Sequence, residues 1–255
     1  MAVYTTGLVA EFVGAYATGS GPNDNGNAGT RTTWVDLAAA YDATADGSWS
    51  TWNTSTGWAG AGTAGDPYCI VVDGNRYFTL PDMSVAEDKT FTYEAWVSNT
   101  QTGVTAWAFS EAQPGSTTGA SVGLGLAPPE ARGCMWNDVN ASGNSLATWS
   151  WDGSWTHSVY TGDGTSGRVY VNNTLLAGPT TLPSGAVTLS NACISGRNRG
   201  GWDYGWIGKI ATVRVYSGNI GATQVGNNYA AGTLGVGSSI GSAFSGLTVI
   251  RDVHA

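Results

Sequence analysis

Residues Thr90 to Ser98 read TFTYEAWVS, with Phe91, Tyr93, Ala95 and Val97 alternating with Thr92, Glu94 and Trp96. Period two sends the first set to one face of an extended strand and the second set to the other. The pattern returns in WIGKIATVRVYS (Trp206 to Ser217), where Ile207, Val213 and Val215 alternate with polar neighbours and Gly208 can bend the strand. Between these runs, Gly133 to Asn137, Ser145 to Trp151, Ser154 to Thr161, Gly167 to Val171 and Thr174 to Ala177 are strand candidates, with Asp152-Gly153 and Asp163-Gly164 as tight-turn signals. Regularly spaced short strands of this kind predict a sandwich or a barrel. Helical pattern is confined to Ile220 to Gly232, closed by Gly232 as a C-cap, and to one turn at Val35 to Tyr41.

The chain of 255 residues suits one large all-β domain. Its 38 glycines supply turns and its 12 tryptophans supply core area, while only 11% of residues are charged, which argues against disorder. Eighteen acidic against ten basic residues give a net charge of -8 with no run of Lys or Arg, so a phosphate backbone is not an expected partner. No apolar run approaches the roughly 20 residues that cross a bilayer, so no membrane partner is expected either. The start, MAVYTTGLVAEFVG, has neither the basic region nor the continuous apolar stretch of a secretory signal, and the chain is read as made without export. Cys69, Cys134 and Cys193 cannot all pair within one chain and show no C-x-x-C spacing; they are expected to be small buried hydrophobes.

From Thr233 the composition changes to a Gly/Ser background with an apolar residue every few positions, ending in LTVIRDVHA. The expected organisation is a sandwich over 1–232 and an arm over 233–255. Ile240, Phe244, Leu247, Val249 and Ile250 make the arm too apolar for a free linker, so it is expected to order against another subunit, a further partner or its own sandwich.

The pieces GLVAEF, W-x-DL (Trp34, Asp36, Leu37), GDPYCIVVDGNRYFTLP, FTYEAWV, W-x-HSVYTGDG, RVYVNNTLLAG and IGKIATVRVYSGNIGATQVGNNY occur in that order between residues 7 and 232. The ordered set resembles the laminin G-like branch of the concanavalin A-like lectin/glucanase superfamily. The resemblance implies a two-sheet antiparallel jelly-roll sandwich closed by a strand and a short helix. The superfamily includes sugar binders, glycosidases, adhesion modules and virion proteins, so it does not by itself assign a function.

Retaining glucanases of the superfamily hold their carboxylates at alternating positions of one strand, about 5 Å apart. Here no two of the eighteen acidic residues are two positions apart, and Glu94 is alone in its strand. Gly237 to Gly241 (GSSIG) fits a nucleophile elbow followed by Asp252 and His254, but lies in the Gly/Ser tail without the helix the motif needs; His157 reads as a strand residue. No catalytic residue and no cofactor is expected. A structural calcium is the ion the resemblance allows, yet Thr212 stands near the place where relatives carry a liganding Asp, and Asp24, Asp66 and Asp163 read as turn residues. The three sequons at Asn53, Asn140 and Asn172 are what an Asn/Ser/Thr-rich chain produces by chance.

The tryptophans offer the strongest binding signal. If Asp152-Gly153 closes a two-residue hairpin, Trp149 and Trp151 share one sheet face and Trp155 lies on the other, in the core. Trp149 and Trp151 are then a stacking platform for sugar rings or a surface covered by a loop or a neighbour. The loops WSTWNTSTGW (Trp49, Trp52, Trp58) and GWDYGW (Trp202, Tyr204, Trp206) pose the same choice, and Trp149, Trp151, Trp202 and Tyr204 are the candidate ligand-binding residues. The leading expectation is a non-enzymatic bacteriophage virion protein, a capsid decoration or minor tail protein. It would associate with other virion proteins and with itself, and would display a lectin-like domain toward cell-surface glycan. The alternatives are a stand-alone carbohydrate-binding module or lectin, and a glycan-active enzyme.

Overall fold

The computed structural model describes residues 3–14, 33–38, 40–45, 56–99, 105–115, 120–127, 130–136, 141–149, 151–198 and 201–233. Trp49, Trp52, the GSSIG motif and the arm residues Ile240, Phe244, Leu247, Val249 and Ile250 lie outside them, as do Asp24, Asn53, Asn140, Asp252 and His254.

In chain order the strands are β1 (Leu8–Val13), β2 (Thr33–Trp34), β3 (Ala43–Ala45), β4 (Gly57–Ala59), β5 (Cys69–Asp73), β6 (Phe78–Thr79), β7 (Thr90–Ser98), β8 (Ala106–Ala112) and β9 (Ser121–Ala127). They continue with β10 (Glu130–Trp136), β11 (Ala141–Thr148), β12 (Thr156–Asp163), β13 (Ser166–Val171), β14 (Thr174–Thr181), β15 (Asn191–Ile194), β16 (Arg197–Asn198), β17 (Trp202–Asp203) and β18 (Ile207–Tyr216), then helix α1 (Ala222–Ala231). The first sheet runs β14-β13-β12-β7-β18-β5-β4, with β1 also paired to β18; the second runs β11-β10-β9-β8-β15-β6-β3-β2. All pairings within the two sheets are antiparallel, and the architecture is the expected jelly-roll sandwich.

Local chemistry explains the turns. At the β13–β14 hairpin Asn172 and Asn173 both take left-handed φ, 47° and 65°, the two-residue turn whose twist matches the flanking strands and which Asn tolerates. At the β12–β13 hairpin the Asp163 carboxylate accepts hydrogen bonds from the amides and hydroxyls of Thr165 and Ser166 and from Arg168 Nη1, so this aspartate does turn chemistry. At the helical turn expected over Val35 to Tyr41, the described residues form turn and bend rather than helix. The buried Asp36 carboxylate accepts the amides of Glu11, Ala38, Ala40 and Tyr41 and pins this turn to β1.

The main core lies between the sheets and includes Phe91, Tyr93, Ala95 and Val97 from β7, Phe109 and Leu124 from the facing sheet, and Val213 and Val215 from β18. Each such side chain fully buried contributes about 1.5–3 kcal/mol relative to exposure. The alternation read in β7 is therefore the inward face. The other face of the first sheet is buried as well: Thr92, Glu94 and Trp96 are all inaccessible or nearly so, under the N-terminal segment and α1. Helix α1 ends at Gly232, whose φ of 75° and N–H bond to Tyr229 O make the C-cap that the sequence predicts.

The hairpin expected at Asp152-Gly153 does not form. β11 belongs to the second sheet and β12 to the first, so the chain passes between the layers instead of pairing the two strands. The turn itself is real, since Asp152 Oδ1 accepts Ser154 N at 2.9 Å, but it joins two sheets instead of two paired strands. The tryptophans are consequently exchanged relative to expectation. Trp149 and Trp151 pack half-buried against the main core, Trp151 edge-on to Trp206 at 5.8 Å, whereas Trp155 sits half-buried on the outer cluster with Trp96, Cys69 and Ala211. Cys69 and Cys193 are buried free thiols, and burial pushes them up to about 11 and about 12.

Candidate functional site

The second element of the GWDYGW run builds a cleft at one end of the sandwich. β16 and β17 form a small two-stranded sheet in which Arg197 is paired with Asp203, and the cross-strand pair becomes a bidentate salt bridge of 2.9 and 2.8 Å. Arg197 is only 2% exposed, its guanidinium lying 5.9 Å from the buried Trp107 ring on one side and 4.6 Å from the Tyr204 ring on the other. Tyr204 rests on a fixed, charge-neutralised platform that holds its ring in place.

The backbone beneath is equally constrained. Tyr204 O accepts Trp107 N at 2.9 Å, and Gly205 bridges Trp107 in parallel. A Cβ on Gly205 would come within 2.0 Å of Gly74 O, so only glycine lets the β5–β6 turn approach this closely. That turn is shaped by Asp73, whose Oδ1 accepts Asn75 N at 3.1 Å and whose Oδ2 pairs with Arg76 at 3.4 Å.

Two adjoining hollows result, of about 260 and 560 Å³, sharing Gly74, Asn75, Tyr204 and Gly205; Ser195 and Asp203 line the first, Asp73, Thr105 and Ile207 the second. Two independent observations single this place out. Of the four large hydrophobic side chains exposed among the described residues, Tyr204 at 45% and Ile207 at 42% both line it. Tyr204 and Ser195, in left-handed φ of 55° and 68°, also line it; Lys89, Asn172 and Asn173, the other described non-glycine residues of positive φ, lie elsewhere. Such backbone conformations cost roughly 1–3 kcal/mol each and concentrate at functional sites.

Of the residues singled out in the sequence, Tyr204 stands at the centre of the cleft, and Trp202 lies on β17 two residues before it, with only its backbone described. Trp206 is fully buried in the core, and Trp149 and Trp151 lie against that core. Asn75, Asp73, Asp203 and Ile207 were not singled out. The D-G-N turn signal at 73–75 and the Asp beside Tyr204 were available, but their convergence depends on tertiary folding.

Two carboxylates of the sandwich are sealed away from solvent. Glu94, with no exposed surface, accepts hydrogen bonds from Arg214 Nη1, from Asn228 Nδ2 at 2.6 Å and from Tyr216 Oη, with His157 Nε2 at 3.1 Å; Glu11 takes Arg214 Nε at 2.7 Å. Burial pushes the Glu94 carboxyl up, but Arg214 first, then His157 and Asn228, outweigh it and hold it at about 2. Glu111 lies inside the sandwich, where Oε2 accepts Ala86 N at 3.3 Å. Burial pushes it up to about 8, and the Ala86 amide, the Tyr93 hydroxyl and the Val85 amide offset only part of that. Among the described residues no three His, Cys, Asp or Glu side chains converge as metal ligands.

Solved structures with this architecture include domain 4 of the extracellular arabinanase AbnA from Geobacillus stearothermophilus, in complex with arabinotriose (19% identity, TM-score 0.58, 87% of this chain and 98% of that one). Trypanosoma rangeli sialidase in complex with sialic acid is similar over 91% of this chain (18% identity, TM-score 0.61), and the binding domain of botulinum neurotoxin serotype D/C over 88% (8% identity, TM-score 0.55). The chain spans almost all of the arabinanase domain but 34% of the sialidase and 52% of the toxin binding domain. No curated protein matches at the level of sequence. A family model matches residues 72–226, more than half of the chain, and by that match the protein belongs to the concanavalin A-like lectin/glucanases superfamily.

Proposed function

We propose that this domain binds carbohydrate without hydrolysing it, at the Tyr204 cleft. The observation that supports the reading is the exposed Tyr204 ring, held over Arg197 beside the exposed Ile207 and ringed by Asn75, Asp73 and Asp203. A sugar ring offers one apolar C–H face and a rim of hydroxyls, and it matches an aromatic floor with carboxylate and amide acceptors at the edge. The arabinanase domain with bound arabinotriose supports the reading by analogy of fold. Non-catalytic function is supported by the sealed environments of Glu94 and Glu111 and by the engagement of Asp203 with Arg197 and of Asp73 with Arg76.

The test is calorimetry of the protein against an oligosaccharide panel that includes arabinotriose. Tyr204→Ala is expected to remove binding, a loss of ~1–3 kcal/mol for a stacked ring by analogy with bases, while melting unchanged. We further propose the setting expected from sequence, display on a bacteriophage particle as a decoration or minor tail protein; co-purification of the full chain with particles, and its loss on deleting 233–255, tests that setting separately.

A further inference from the structure

We infer that the cleft takes neutral sugars and rejects acidic ones, the sialylated, uronic and sulfated glycans. The inference rests on the carbohydrate-binding reading and adds the ligand's charge class to it. Anionic sugars are recognised by cationic donors free to form charge-assisted, often bidentate, hydrogen bonds. No Lys, Arg or His is among the described residues lining either hollow. Two described arginines beside the cleft are committed: Arg197 is buried and held bidentate by Asp203, and Arg76 is paired with Asp73. What these pairs turn outward is acid, since Asp203 and Asp73 side chains are 34% and 39% exposed against 2% and 25% for their arginines.

Each carboxylate oxygen has a second lone pair, so both aspartates can accept sugar O–H groups while keeping their arginines. Asn75 adds an amide able to donate and accept, and Thr105 a hydroxyl. A carboxylate or sulfate brought to the same place meets two aspartates, an electrostatic cost that the net charge of -8 increases at long range.

The experiment is isothermal titration of the full chain with arabinotriose and cellotriose as neutral probes, and 3′-sialyllactose and trigalacturonic acid as acidic ones. The wild-type protein, Tyr204→Gly and Asp73→Asn are compared. Tyr204→Gly removes the ring and relieves the left-handed φ, so loss of the ring is read without backbone strain. The expected result is binding of a neutral probe, lost in Tyr204→Gly, with acidic probes at least about tenfold weaker, and a narrower gap in Asp73→Asn because one of the two facing carboxylates is gone. Tighter binding of an acidic probe that disappears in Tyr204→Gly overturns the charge class and leaves the site standing. Binding that survives Tyr204→Gly, or no binding of any probe, overturns the site itself.

Discussion

Glu94 and Glu111 lie on neighbouring elements of the fold, are equally inaccessible to water, and are held in opposite states. Glu94, on the outer face of β7, is surrounded by Arg214, His157, Asn228 and Tyr216 and held ionised, its carboxyl drawn down to about 2. Glu111, on the inner face of β8, has amide and hydroxyl company with Glu87 rather than a cation as its charged neighbour, and burial drives it up to about 8. Desolvation acts on both; the partners decide the sign. The charged group ties three parts of the chain together: β1 through Glu11, the sheet through Glu94 and Arg214, and α1 through Asn228, which also accepts Tyr4 N at 2.7 Å. The neutral one leaves an acid that the fold must keep protonated.

The comparison is tested most severely by Arg214→Met, which leaves Glu11 and Glu94 buried without their cation. It is expected to destabilise by about 3–5 kcal/mol in chemical denaturation; a loss below about 1 kcal/mol would show that the network adds nothing.

A pH series sharpens the contrast. Glu111 titrates near 4.5 when unfolded and about 8 when folded. The folded state therefore holds its proton more tightly, and this group's contribution is full below about 4.5, falls as the pH rises, and is gone above 8, a change on the order of a few kcal/mol. Glu94 has the opposite sign: its contribution is present above 4.5 and is lost as the pH falls toward about 2. Stability between pH 5 and 8 is expected to decline in the wild type and to flatten in Glu111→Gln; an unchanged slope in that variant removes Glu111 from the account.

Asn228→Ala takes one donor from Glu94 and one acceptor from Tyr4 N, for an expected loss of about 1–3 kcal/mol, with the helix amides gaining hydrogen exchange before those of β7. The smallest effect is expected for Glu111→Gln at pH 5, within about 1 kcal/mol, because an uncharged amide replaces an uncharged acid of the same shape. A cost there as large as that of Arg214→Met would mean that the two buried acids do the same work.

Much of this architecture can be read directly from residue order. Alternation in β7 and at Val213 and Val215 of β18, the turn at Asp163-Gly164 and the helix closed by Gly232 are all local, governed by side-chain direction and φ/ψ preference within a few residues, whereas the irregularity between Ile210 and Thr212 puts Ile207, expected on the same face, at the surface. Glu94 and Arg214 are directly paired across β7 and β18, a contact between distant segments. The Tyr204 site was half legible: the aromatic cluster marked Tyr204, while Trp202 is placed only by its backbone and Trp149 and Trp151 lie against the core.

What the chain by itself determined is therefore strands β7, β10 to β14 and β18, the turn at Asp163-Gly164, the closing helix and the class of fold, because each depends on neighbours in sequence. What only the tertiary structure decided is where strands go after a turn and which distant residues meet. Asp152-Gly153 offers the same short-range hydrogen bonds whether the next strand pairs with the last or enters the other sheet, and that choice, set by the summed burial of both layers, exchanged the faces of Trp149, Trp151 and Trp155. The cleft likewise joins Asp73 and Asn75 to Asp203 and Tyr204 across more than a hundred residues, held by the contact of two glycines whose meaning appears only once the sheets are packed.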